Sequence, residues 1–417
     1  MMHINHELEQ VIQRTFNYFP WYKSLRSTTS QDFMKVQHLK DLPLLTSDVM
    51  EKHYYIQDHP FKQRSDIHRY QTSGTSRNYR KNIYYSECDE EQYIRIKAEV
   101  LGAILNSYQA HRALIDMGTG HAAATAEAIF HQLRLDVVTV SFQLPIQQHL
   151  DRLSTFRPDV LYTMPSILDR ILMASDDPLI YGIRKVILVG EVASPSWQQR
   201  VAERLGIDKD DITDTYGSIE IGTIARYDHE LDRYFVVDGI IAEGLTLQEV
   251  GIDGDELAAD EQVLVLTSTV RDLFPAIRFV TYDVVRDFQS VMVDGQWRQS
   301  FRNIVRRIGH ELKHGEKISI YDIEDVVYQH VKDVSIRVLA TDNLLTVQII
   351  LKSELELLDS LVLKTFQHEI AHRIPEIGIM IQNGLLQEIR VLQSVYNDSE
   401  HRNAVKFKRI HNSKEVL

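Results

Sequence analysis

Between residues 112 and 189, apolar strand-like runs alternate with helical ones. "RALIDMG", "DVVTVSF", "DVLYTMP" and "IRKVILVG" read as strands, and "AAATAEAIFHQLR", "QQHLDRLSTFR" and "PSILDRILMAS" between them read as helices. This β-α-β alternation argues for mainly parallel sheets flanked by helices, an α/β class of fold.

The texture changes near residue 230. "RYFVVDGIIAE", "QVLVLTSTV", "AIRFVTYDVVRDF" and "VMVDGQW" are strands joined by short Asp/Gly turns, the pattern of an antiparallel sheet or distorted barrel. Beyond Arg306 a third texture begins. "SIYDIEDVVYQHV" and "LELLDSLVLKTFQHEIAHRI" are helical, and "VSIRVLA", "LLTVQIILK", "EIGIMIQ" and "EIRVLQSV" are strand-like. The expected division is a large N-terminal domain over residues 1–307 and a small α+β C-terminal domain over residues 308–417. A chain of 417 residues is long enough for both. Ahead of the alternating region, "HELEQVIQRTFNYF" is a helix, Ile83–Tyr85 a short strand, and Ser86 or Asp89 a cap for the long helix that follows.

The formal net charge of −13 argues against nucleic acid as the main partner, since phosphate backbones select clustered positive charge. It leaves room for a small anion held by local cations and backbone N–H groups. A single cysteine, Cys88, excludes a disulfide within the chain and a Cys-based zinc cluster. No apolar run approaches the ~20 residues that span a bilayer, and the N-terminus carries no signal-like apolar core. The expected location is cytoplasmic, with no membrane partner; a homodimer is compatible with this reading.

Three stretches could carry chemistry. In "TSGTSRNYRK" the residues Thr72, Ser73, Gly74, Thr75 and Ser76 precede Arg77, Arg80 and Lys81. Such a loop is either a polar turn or an anion cradle, in which hydroxyls and backbone N–H groups converge and Arg80 neutralises charge. It lacks the P-loop spacing. In "DITDTYGSIEIGTIARY", Tyr216 could lie against a base, Gly217 permits close backbone approach, Ser218 supplies a hydroxyl and Glu220 could hold Mg²⁺. The alternative there is a strand-end turn with a surface Glu. In "AIRFVTYDVV", Asp283 follows an apolar strand, where a carboxylate can accept ribose hydroxyls or simply face solvent.

Taken in order, these stretches resemble the adenylate-forming superfamily, and within it the phenylacetate–CoA ligase-like branch, over nearly the whole chain. "TSGTSRNYR" is similar to the family's phosphate loop, "DTYGSIE" (Asp214, Thr215, Tyr216, Gly217, Ser218, Glu220) to its D-x-Y-G-x-x-E signature, and "PAIRFVTYD" to its ribose motif ending at Asp283. Gly190, Glu191 and Val192 in "ILVGEVAS" lie where the family packs adenine. Arg306, Gly315 and Glu324 keep its hinge pattern. The resemblance implies ATP, Mg²⁺ at Glu220, and activation of a carboxylic acid, aromatic or bulky, as acyl-adenylate. The acyl group then passes to CoA or another thiol. Alternatives are transfer to an amine or a carrier protein, or nucleotide binding with weakened catalysis. Glu220 and Arg80 are the implied catalytic residues.

The resemblance also places the acyl pocket at Gly118, Gly120, His121 and Ala122. Small residues there either leave room for a ring or branched acid or serve tight helix packing. Departures are specific. The family's second loop Gly is Arg77, its Pro is Tyr79 and its Lys is Arg80. Its C-terminal catalytic lysine falls on Asn403, with Lys406 and Lys408 nearby. Another cation substitutes, one half-reaction dominates, or catalysis is lost. "HEIAH" (His368 to His372) fits a zinc-peptidase helix, but Pro375 closes that helix and the segment falls in the auxiliary domain, which ranks a zinc site low.

Overall fold

The computed structural model describes residues 4–25, 37–56, 58–71, 81–117, 120–252, 257–308, 320–341, 344–382, 384, 386–397 and 410–412. In chain order the longer elements are α1 (His6–Tyr18), α2 (Ser47–His53), β1 (His68–Gln71), β2 (Asn82–Tyr85), α3 (Glu87–Leu105), β3 (Arg112–Met117), α4 (His121–Gln132), β4 (Asp136–Ser141), α5 (Ile146–Phe156), β5 (Val160–Thr163), α6 (Pro165–Ala174), β6 (Lys185–Val189) and α7 (Pro195–Leu205). Then follow β7 (Ile212–Ser218), β8 (Gly222–Asp228), β9 (Arg233–Val236), β10 (Ile240–Leu245), β11 (Glu261–Ser268), β12 (Phe279–Arg286), β13 (Gln289–Val293), β14 (Gln296–Phe301) and β15 (Asn303–Arg307). The last are α8 (Ile320–Tyr328), β16 (Val334–Thr341), β17 (Leu344–Leu351), α9 (Ser360–Arg373), α10 (Pro375–Gln382), β18 (Glu388–Val395) and β19 (Ile410–Asn412). The fold is mixed α/β, with a large N-terminal sheet–helix region and a small C-terminal one. Contacts divide the chain into two compact units, Met1–Ala103 with Tyr216–Ile304, and Ile104–Thr215 with Val305–Leu417.

In the second unit, β7, β6, β5, β3 and β4 lie side by side in that order, all parallel. The middle strands are buried along their length: Ala113, Leu114 and Ile115, Val160 and Leu161, and Val186 to Leu188 are inaccessible. Helices cover both faces of such a sheet, so uniform apolar runs are what its strands require. The strand order reverses between β3 and β5. The loops after these strands therefore leave towards opposite faces at the carboxyl edge, where parallel α/β sheets hold ligands. The C-terminal part adds a second sheet in the order β18, β17, β16, β19. "EIGIMIQ", expected as a strand, is the helix α10. Pro375 opens it, Ile377 and Met380 are buried at helical spacing, and a Cβ on Gly378 would stand 3.1 Å from the Ala371 carbonyl oxygen.

In the first unit, β13, β14, β9 and β8 form an antiparallel meander. Its outer hairpin turns at Asp294 and Gly295, both at positive φ as a two-residue hairpin turn demands. Strands β10, β11 and β12 form an antiparallel sheet whose register shifts between Val263 and Val265. Strand β12 runs on to Arg286, so Asp283 lies inside the strand rather than after its end. Ser86 and Asp89 cap α3 reciprocally: the Ser86 N–H donates to Asp89 at 3.0 Å and the Asp89 N–H to the Ser86 hydroxyl at 3.1 Å. Among the described residues no helix is long and apolar enough to cross a membrane.

Candidate active site

The Tyr216 to Glu220 stretch is the end of β7 and the turn into β8. Gly217 is required by packing, because a Cβ there would stand 2.7 Å from the Gly222 carbonyl oxygen. The turn is closed by the Ile221 N–H donating to the Ser218 hydroxyl at 3.3 Å. Two buried side chains hold its carbonyls. The Tyr85 hydroxyl donates to Ile219 O at 2.7 Å, and Arg271 Nε donates to Glu220 O at 3.0 Å. Arg271 lies 3.7 Å from the Tyr85 ring centroid and pairs with the buried Asp89 carboxylate at 2.8 Å. Asp89 also accepts from the N–H groups of Asp272 and Leu273. The helix cap thus anchors the guanidinium that fixes the backbone of half-buried Glu220.

Tyr216 and Asp283 meet. The phenol donates to Asp283 Oδ2 at 2.5 Å, and the ring stands edge-on to Phe301, with centroids 6.2 Å apart. Phe301 in turn stacks on Tyr234 at 5.1 Å. The tyrosine expected against a base thus donates to Asp283 and meets the Phe301 ring edge-on.

In the second unit, Gly190 follows β6 with φ +81°, and Asp214 and Thr215 lie on the neighbouring strand, in register with Leu188 and Val189. The Glu191 carboxylate accepts from the N–H and the hydroxyl of Ser166, both at 2.8 Å, so it caps α6 at the positive end of the helix. Val192 is half-buried beside it, and Arg306 is half-buried on β15. Gly120 opens α4 at φ +143°, with His121 and Ala122 half-buried in the first turn. The same unit holds a buried pair that sequence reasoning missed. His149 Nδ1 is 2.7 Å from Asp116 Oδ2, both side chains are inaccessible, and His149 Nε2 is 3.2 Å from Leu144 O. Burial pushes the Asp116 carboxyl above its usual range, against the opposing pull of His149 and Arg170. Nothing local marks this pair, since the two residues sit on different elements. Glu324, expected in the hinge pattern, is buried and accepts from the Ser194 hydroxyl, which itself caps α7.

Thr72, Ser73, Gly74, Thr75, Ser76, Arg77, Arg80, Gly118, Gly315, Asn403, Lys406 and Lys408 lie outside the described residues. In the "HEIAH" helix, Glu369 accepts from His330 at 3.1 Å and Arg373 at 3.2 Å, while the His368 and His372 rings are 4.1 Å apart.

The chain is 35% identical over 387 residues to a fumarate–(S)-2,3-diaminopropanoate ligase of Enterobacter agglomerans, covering 93% of this chain and 94% of that one. It belongs to the fumarate–diaminopropanoate ligase family of adenylate-forming enzymes. The family model for the C-terminal domain of fumarate–diaminopropanoate ligase matches residues 313–397. Among solved structures, 2-hydroxyisobutyryl-CoA ligase in its postadenylation state with an acyl-AMP superposes with a TM-score of 0.73 at 16% identity, covering 98% of this chain and 89% of that one. The amide bond synthetase McbA of Marinactinospora thermotolerans gives 0.50 at 14% identity, over 80% and 67% of the two chains. At these identities the structures speak for the fold. As a member of this family the chain is an adenylate-forming ligase.

Proposed function

We propose that this ligase activates a dicarboxylic acid of the fumarate class with ATP and passes the acyl group to the amine of an amino acid. The observation that carries this is the 35% identity over nearly the full length to a ligase named for that acid and that amine. A thiol acceptor such as CoA is the second reading, suggested by fold neighbours that hold CoA. The domain boundary is placed at 307/308.

In this reading, a carboxylate oxygen of the acid attacks the α-phosphorus of ATP and pyrophosphate leaves. The amine nitrogen then attacks the acyl carbon, and AMP leaves with the former carboxylate oxygen. The chain's work is positioning and charge neutralisation. Thr72 to Ser76 and Arg80 would face the phosphates, Gly190 to Val192 and Asp214 to Ser218 the base, Asp283 the ribose with Tyr216 orienting its carboxylate, and Arg306 the nucleotide near the hinge. Gly118, Gly120, His121 and Ala122 would line the acyl group.

Glu220 suits a metal that arrives with its nucleotide. Its backbone is held by Arg271, and among the described residues no group of three or more His, Cys, Asp or Glu could hold an ion alone. Mg²⁺ bound with ATP supplies charge neutralisation at the departing pyrophosphate.

The test is acid-dependent exchange of pyrophosphate into ATP with fumarate, succinate and benzoate. Mass analysis of products with 2,3-diaminopropanoate or CoA then identifies the acceptor. Exchange with fumarate and an amide product are expected. A thioester without amide replaces the amine reading with the thiol one. ATP binding with no exchange for any acid removes the whole proposal.

A further inference from the structure

Two residues around β12 are left-handed without being glycine: Arg278, just before the strand, at φ +51°, and Tyr282, within it, at φ +64°. A residue with a Cβ resists such a backbone, whereas glycine adopts it freely. Tyr282 lies at a bulge. Val263 pairs with Val284 and Val265 with Val280, so Thr281, Tyr282 and Asp283 together face the single residue Leu264. The Thr281 hydroxyl fills the gap: it donates to Leu264 O at 2.7 Å and accepts from the Asp283 N–H at 3.1 Å. Bulges bend a strand and re-aim the side chains within it. The side chain that follows Tyr282 here is the Asp283 carboxylate.

One segment, Lys40 to Ser47, holds both left-handed residues. Leu45 bridges to Phe279 in parallel; its N–H donates to Arg278 O at 3.0 Å and its carbonyl accepts from the Val280 N–H at 3.1 Å. The Arg278 guanidinium donates to Lys40 O at 2.7 Å and to Leu42 O at 2.8 Å. The buried Tyr282 reaches the first turn of α2. Its phenol oxygen accepts from the Ser47 N–H at 2.8 Å and donates to the Ser47 hydroxyl at 3.1 Å. The side chain thus supplies what a glycine at this φ lacks, an anchor for the bulge. The next residue, Asp283, meets the Tyr216 phenol. One tyrosine touches the carboxylate and the other ties down the backbone that carries it.

We propose that Tyr282 is a positioning residue for the nucleotide: by tying the bulge to α2 it holds the Asp283 carboxylate where it accepts ribose hydroxyls. This rests on the reading of Asp283 as the ribose carboxylate and adds the residue that sets its place. The strained backbone is kept because a glycine, which relieves the strain, also removes the anchor. A tyrosine serving the fold alone changes stability and leaves the choice between nucleotides intact. A positioning tyrosine changes the choice, because a displaced carboxylate no longer distinguishes a ribose hydroxyl from its absence.

The experiment compares pyrophosphate exchange with ATP and 2′-deoxyATP for wild type, Asp283→Asn, Tyr282→Phe and Ser47→Pro, with thermal melts as a check on folding. Tyr282→Phe removes the phenol oxygen and keeps the ring. Ser47→Pro removes the same bonds from the other side, at a first helical position where proline is tolerated. Wild type is expected to favour ATP by about ten- to a hundredfold in kcat/KM, the scale of a hydrogen bond to a charged group. In Tyr282→Phe and in Ser47→Pro that ratio should fall by about threefold to tenfold, the scale of a neutral hydrogen bond, chiefly through the KM for ATP. The double variant should fall no further, since both changes remove one anchor. Either folded variant keeping the wild-type ratio overturns the proposal, and Ser47→Pro decides alone if Tyr282→Phe does not fold. The ribose reading still stands in that case if Asp283→Asn has lost the ratio. Wild type that accepts both nucleotides equally, Asp283→Asn that still discriminates, or no exchange with any acid removes the ribose reading and the proposal with it.

Discussion

The phenol of Tyr216 donates a 2.5 Å hydrogen bond to the carboxylate of Asp283, joining two residues 67 positions apart. The two carry separate motifs, one at the end of β7 and one within β12, and the bond fixes one oxygen of the carboxylate before any ligand arrives. Tyr216→Phe keeps the ring against Phe301 and removes this bond. A hydrogen bond to a charged group contributes about 1.5–3 kcal/mol. With Asp283 in its proposed ribose role, the KM for ATP in the exchange assay should rise about tenfold or more. Asp283→Ala should abolish exchange while the protein still folds, with a melting temperature lowered by the loss of this bond. An ATP KM unmoved by Tyr216→Phe would separate the hydrogen bond from nucleotide binding.

Gly217→Ala places a methyl group 2.7 Å from a backbone oxygen, that of Gly222, which cannot swing away as a side chain could. The turn must open for it. A loss of about 1–3 kcal/mol of stability is expected, the usual range for forced overpacking, together with most of the exchange activity. Urea unfolding of the variant measures the first and the exchange assay the second. Full activity in Gly217→Ala would mean that the turn is not held where the chemistry needs it.

How much of this was legible depended on the range over which each signal acts. The parallel strands could be read because their covering helices make them uniformly apolar, and the Ser86–Asp89 cap because it spans one turn. That Asp89 also neutralises Arg271, which grips the Glu220 carbonyl, could not be read, since the first contact joins segments nearly two hundred residues apart and the second spans 51. "EIGIMIQ" was misread because a short apolar run fits strand and helix equally; Pro375 and packing against α9 decide it. The superfamily emerged from the order of its motifs, whereas the dicarboxylate–amine family came only from a full-length relative. Buried Lys97 was legible in principle. It sits at a core position of the α3 pattern, where a lysine is easily passed over as solvated.

Glu191 shows how a motif residue can serve the fold. Its carboxylate takes both the N–H and the hydroxyl of Ser166 at the start of α6. Glu191→Ala should lower stability by about 1–2 kcal/mol, the range of a lost N-cap. Ser166→Ala removes one of the two bonds. The double variant should be less destabilised than the sum of the singles, with a coupling of about 1 kcal/mol for a pair in direct contact. Strict additivity in chemical denaturation would show that the pair does not form in solution.

His59 supplies a pH dependence with a definite sign. It is buried, stacks on Tyr84 at 4.8 Å, and accepts the Phe61 N–H on Nδ1 at 3.2 Å, an arrangement that needs a neutral ring. Burial lowers its pKa from 6.5 to about 4. The unfolded chain therefore binds a proton between these values while the folded chain does not. This contribution to stability is present above pH 6.5 and is lost as pH falls towards 4. The loss between pH 7 and pH 5 should be about 2 kcal/mol. Unfolding free energies at the two pH values, for wild type and His59→Gln, isolate it: the variant's slope should be shallower by that amount.

Lys97 has the opposite chemistry but the same direction of pH effect. Burial lowers its folded pKa from the usual 10.5 to about 7, so the unfolded chain holds an extra proton between those values. Folding is penalised where the unfolded lysine is charged, and the penalty fades as pH rises towards 10.5. At pH 7 it reaches up to about 4 kcal/mol, from the gap between the two pKa values. Lys97→Met fills a similar volume without a charge. It should melt higher than wild type at pH 7, and the advantage should shrink at pH 10. A variant destabilised at both pH values would show that the side chain is kept for its packing on α3.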